Sequence, residues 1–120
     1  MTASRRRLPR LGLAVWLLLA LALAIRLGYV AVTPDYELVH DARDYDYHAR
    51  SIAEGEGYGL SFRRPTAFRP PGFSFFLAGV YDVAGVQRAK PSRRLPVARV
   101  AQALVGTLAV ALIGVLAAQL

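Results

Sequence analysis

Residues 11–32 read LGLAVWLLLALALAIRLGYVAV, and they set the architecture of the whole chain. As an α-helix this stretch is about 33 Å long, against a hydrocarbon core of roughly 30 Å. Trp16 and Tyr29 lie towards its two ends, where amphipathic rings meet headgroups, although Trp16 is rather deep for that role. A cleaved signal peptide is the rival reading, with Arg5–Arg10 as its basic region. The small-residue pair Ala22 and Ala24 lies inside the apolar run rather than beyond it, which argues against cleavage. Arg26 is the exception within the run. Either it snorkels to the nearer interface, or it turns inward as a cation beside an anionic ligand.

Working outward, residues 97–120 read VARVAQALVGTLAVALIGVLAAQL, preceded by Pro96 in a position suited to a first helical turn. Gly106 and Gly114 among many alanines leave a surface that another helix can approach closely. Arg99 and Gln102 have no use in a fully lipid-exposed helix, so this second span belongs in a bundle. The abrupt apolar end is expected of the first part of a longer polytopic protein.

Composition agrees with the two-span reading. Hydrophobic residues make up 55% of the 120 residues, yet all eight acidic residues fall between Asp35 and Asp82. A soluble fold has no means of covering two apolar ends of this length. The net charge of +7 is not read as nucleic-acid binding. Its arginines cluster at Arg5, Arg6, Arg7 and Arg10, and its basic residues again at Arg88, Lys90, Arg93 and Arg94, each set just before an apolar segment. Topology and anionic headgroups explain such clusters. The chain has no cysteine, which excludes disulfides, thiolate zinc sites and a cysteine nucleophile.

The expected fold is therefore all-α and membrane-embedded, with two transmembrane helices joined by a long extracytoplasmic loop. Residues 1–10 form a basic cytoplasmic N-terminus, 11–32 the first span, 33–96 the loop and 97–120 the second span. The N-terminal arginines set this orientation, because the first helix usually dominates it. Localisation follows as a multi-pass integral protein of the cell membrane.

Within the loop, two helices are predicted, near 41–54 and 71–84. In the first, Tyr45, Ala49, Ile52 and Ala53 recur at i, i+4, i+7 and i+8, while Arg43, Asp46 and Arg50 lie elsewhere. Gly55 and Gly57 stop it. Such a helix beside a span is expected to lie along the interface. The second, opened by Pro70 and Pro71, is apolar almost all round and too short to cross a bilayer.

Asp41 has two readings. As an N-cap with Asp44 at N3 it satisfies helix donors; as a carboxylate at the membrane surface it serves as general base or cation ligand. His40 and His48 are too far apart to share a metal on one helical turn, so no histidine zinc site is expected. Arg69 stands before a rigid Pro-Pro pair and a helix N-terminus, a setting that favours anions; Arg63 and Arg64 lack that context.

Taken in order, these pieces resemble a known family. A span is followed by Asp41-Ala42-Arg43-Asp44-Tyr45 and onward to Arg50, then Gly55-Glu56-Gly57-Tyr58, then Arg69-Pro70-Pro71-Gly72-Phe73, then a second span opening on an Arg and a Gln. This is similar to the N-terminal portion of the GT-C type membrane glycosyltransferases, in the branch of dolichyl-phosphate-mannose protein mannosyltransferases and aminoarabinose-to-lipid-A transferases. The resemblance implies a polyprenyl-phosphate sugar lipid as donor and an extracytoplasmic acceptor. By it Asp41 is the catalytic residue and the one candidate ligand for a divalent cation, Arg69 binds the donor phosphate, and Tyr45 and Arg50 support them. Many members carry a second acid directly after the first; here that position is Ala42, which weakens two-carboxylate metal binding. The family has several more spans, so this chain alone is expected to be an incomplete, inactive fragment needing further transmembrane helices. The alternative, from another class, is a small two-span interaction or assembly subunit without catalysis.

Overall fold

The computed structural model describes residues 12–60, 64–65 and 69–119. The basic N-terminal cluster and Arg63 lie outside the described residues. Four helices follow in order: α1 Leu13–Val32, α2 Asp41–Ala53, α3 Pro71–Ala84 and α4 Pro91–Ala117. Between α2 and α3, Gly59–Leu60 and Arg64–Pro65 pair as a two-residue antiparallel ladder, β1 and β2.

Two of the helices, α1 and α4, are long and apolar enough to cross a membrane. They pack side by side and antiparallel: Arg26 lies against Gly106, and Arg99 reaches Thr33. No residue of α1 is buried, and Trp16, Leu17, Leu21 and Ile25 each expose more than half of their surface. Neither helix is covered by protein on its outer face.

The core sits where α2 packs on α3 and α3 packs on the start of α4. Ala49, Leu77, Ala78, Tyr81, Val86 and Ala98 form it, with Tyr45, Ile52 and Ala53 packed against it. Tyr45, Ala49, Ile52 and Ala53 of α2 thus pack against protein, chiefly α3. Gly85 ends α3 in the left-handed region at φ 64°, which glycine adopts without a Cβ penalty.

Two boundaries differ from the sequence reading. First, α4 starts at Pro91, and Pro96 lies inside it rather than opening it. The extra turns are held by burial: Arg94 and Leu95 are both buried, Arg94 against Asp46 of α2 and Tyr81 of α3, and that burial outweighs the one ladder hydrogen bond that Pro96 cannot donate. Second, Asp41 is the first helical residue of α2 and does not cap it. His40 occupies the cap position at φ 46°, with no side-chain cap bond. The capping-box reading fails because both carboxylates are drawn to a guanidinium instead.

Candidate functional site

That guanidinium is Arg69. Its Nη2 lies 2.5 Å from Asp41 Oδ1 and 3.2 Å from Asp44 Oδ2, and its Nε also points at Asp44 Oδ2. Three residues apart on the first turn of α2, the two carboxylates share one face and close on one cation. Arg69 is delivered there by an aromatic relay. His48 of α2 stacks on Tyr58 with ring centroids 4.4 Å apart, and the Tyr58 hydroxyl donates to the Arg69 carbonyl at 2.7 Å.

Deeper along α2, Asp46 forms a buried clasp. Arg94 of α4 grips it through Nε at 2.9 Å and Nη2 at 2.7 Å, while the Tyr81 hydroxyl of α3 donates to Oδ1 at 2.7 Å. Arg94 is 3% exposed and Tyr81 fully buried. Burial, followed by the hydrogen bond to Asp46 and its charge, pushes the Tyr81 phenol well above its ordinary value, against the opposing pull of Arg94. One carboxylate thereby ties three helices together. It also corrects the reading of Arg94, which belongs to a buried ion pair rather than to a headgroup-facing cluster.

Where these layers meet, a cavity of about 770 Å³ opens between the α1–α4 pair and the α2–α3 pair. Asp41, Tyr45 and Asp46 line it from α2, Tyr81 from α3, and Arg26, Arg99 and Gln102 from the two long helices. Tyr45 meets Phe73 edge-on, with centroids 5.2 Å apart. Arg99 is held firmly: Nη1 donates to the Thr33 carbonyl at 2.7 Å, Nη2 to the Thr33 hydroxyl, and the guanidinium lies over Tyr29 and Tyr36. Arg26 folds back, Nη1 donating to the Ala22 carbonyl at 2.9 Å, with its head against Gly106. The guanidinium thus turns in against α4 rather than out towards the nearer end of its helix.

The structure therefore brings Asp41 and Tyr45 to the cavity and joins Asp41 to Arg69, which is not among the cavity-lining residues. Arg50 does not line the cavity either, and its Nε is buried with no hydrogen-bond partner among the described residues. Sequence reasoning missed Asp46 as a buried residue. The signal was present, since Asp46, Ala49 and Ala53 share an i, i+3, i+7 stripe. As a cation site the cluster fits poorly: Asp41 already faces a guanidinium, and among the described residues no group of three His, Asp or Glu converges to hold a metal ion.

Compared with known proteins, the chain matches no family model, no curated protein and no solved structure.

Proposed function

We propose that this chain is the N-terminal part of a GT-C type membrane glycosyltransferase, transferring a sugar from a polyprenyl-phosphate donor to an extracytoplasmic acceptor. In this reading α1 and α4 both cross the membrane, the intervening loop lies outside the cytoplasm, and further transmembrane helices complete the enzyme. One observation supports it above the others. A carboxylate, Asp41, stands on a cavity whose opposite wall carries two arginines on apolar helices long enough to span a bilayer. A docking subunit has no use for that arrangement; an enzyme acting on a phosphorylated lipid does.

The chemistry follows from the residues. The acceptor hydroxyl is a poor nucleophile. Asp41 takes its proton as the hydroxyl oxygen bonds to the anomeric carbon, and the sugar–phosphate bond breaks to release polyprenyl phosphate. A positioned general base contributes about 10²–10⁴-fold. The leaving phosphate gains charge, which nearby guanidiniums stabilise in a partly dry site. Arg69 orients Asp41 by pairing with it. Tyr45 forms the adjoining wall.

The test is transfer itself. Membranes containing the full-length protein are given a labelled polyprenyl-phosphate sugar or the matching nucleotide sugar, after polyprenyl-phosphate synthesis is blocked. Transfer from the lipid donor alone is expected. Transfer from the nucleotide sugar, or none from either, contradicts the reading.

A further inference from the structure

We propose that Tyr58 is a positioning residue for the transfer reaction: it fixes the backbone of Arg69, and through Arg69 it holds Asp41 where a general base must stand. The role rests on the functional reading above. It also gives a task to the turn Gly55-Glu56-Gly57-Tyr58, none of whose residues lines the cavity.

The turn is tied to the end of α2. The Glu56 N–H donates to the Ser51 carbonyl at 2.8 Å, and the Ser51 hydroxyl donates to the Gly57 carbonyl at 2.8 Å. Gly57 sits at φ 84°, in the left-handed region that a residue with a Cβ rarely adopts. The chain thereby returns along α2, and the Tyr58 ring comes to lie nearly parallel to one ring of each loop helix. His48 of α2 is 4.4 Å away between centroids at 22°, and Phe75 of α3 is 6.5 Å away at 14°. His48 is itself only 1% exposed, so the stack is seated on a packed side chain. A ring held in this way carries its hydroxyl on a rigid arm. That hydroxyl donates to the Arg69 carbonyl at 2.7 Å.

Arg69 needs such a tie. Pro70 and Pro71 follow it and have no N–H with which to anchor this stretch. An arginine side chain has several rotatable bonds, so its guanidinium returns to one place only when its backbone is fixed. At the far end of that side chain are Asp41 Oδ1 at 2.5 Å and Asp44 Oδ2 at 3.2 Å. Both carboxylate side chains are exposed, and packing does not hold them. The direction of the Asp41 carboxylate is therefore set by Arg69, and the place of Arg69 by Tyr58. A misplacement of about 1 Å, caused by a change away from the chemistry, can cost a reaction about 10²-fold.

The test is Tyr58→Phe in the full-length protein, which keeps the ring stack and deletes only the hydroxyl. With a labelled polyprenyl-phosphate sugar as donor, kcat should fall about tenfold, while KM for the donor and the unfolding midpoint stay unchanged. Tyr47→Phe removes a hydroxyl from another ring beside His48 and should leave kcat at the wild-type value. Coupling separates positioning from general loosening. In an Arg69→Ala background no guanidinium is left to place, so Tyr58→Phe should cost less than about twofold there. Should Arg69→Ala be too slow to measure, Arg69→Lys replaces it: the flexible ammonium stem adapts to a shifted backbone, and the loss from Tyr58→Phe should again shrink. A wild-type kcat in Tyr58→Phe, an equal loss in both backgrounds, or a lowered midpoint overturns the positioning role and leaves the glycosyltransferase reading standing. Absence of transfer in the wild-type protein sinks that reading, and the role of Tyr58 with it.

Discussion

Asp46 and Arg94 stand 48 residues apart in sequence and 2.7 Å apart in space. Neither is legible as a partner of the other, because pairing across that distance is created by packing, and a basic residue in an Arg-Arg run reads first as a surface charge. Removing one partner leaves the other buried and uncompensated, so Arg94→Ala should destabilise by about 3–5 kcal/mol. Replacing both at once with apolar residues, Asp46→Leu with Arg94→Met, should recover most of that loss. Thermal unfolding of the three variants in one detergent checks it, and equal losses in the single and double variants would contradict the clasp. Tyr81 adds a pH signature. Its folded-state value is raised, so the stability it contributes is present below the unfolded value of about 10 and is lost as pH rises beyond it. Asp46 and Arg94 are the charged groups facing it. Tyr81→Phe should flatten this alkaline decline, seen as helical ellipticity against pH between about 9 and 12.

At the scale of the helices, α2 shows what periodicity can and cannot deliver. Its stripe of Tyr45, Ala49 and Ile52 was readable because a 3.6-residue repeat is local information. Its first turn was not, since a carboxylate there has two uses that look alike in sequence, capping its own helix or meeting a distant cation. The Arg69 cluster settles that choice in the structure, yet Asp41 and Asp44 remain 62% and 42% exposed in their side chains. Solvent screens such pairs, so Arg69→Ala should change stability by less than about 1 kcal/mol. Its effect belongs to orientation: transfer should fall while the unfolding midpoint stays put. A large drop in the midpoint would make the cluster a structural device. The start of α4 was misjudged for a related reason. Proline marks a first turn in sequence, but burial of Arg94 and Leu95 carries the helix through Pro96.

For the molecule as a whole, the two long helices were legible from residues 11–32 and 97–120, because length and unbroken hydropathy are sequence properties. The cavity was not, for it exists only where α1, α2, α3 and α4 meet. Orientation is tested by labelling. A cysteine at Gly59 should react with an impermeant maleimide from outside intact cells, while one at Thr2 should react only after permeabilisation; the reverse pattern would place the loop on the cytoplasmic side. The catalytic claim reduces to one side chain. Asp41 lines the cavity and caps no helix, so Asp41→Asn removes a base and leaves the fold without a lost cap. The decisive measurement is the initial rate of sugar transfer from a polyprenyl-phosphate donor by membranes holding matched amounts of wild-type and Asp41→Asn full-length protein. Equal abundance and a rate lower by at least about 100-fold are expected; a rate near that of wild type would mean that Asp41 is not the base.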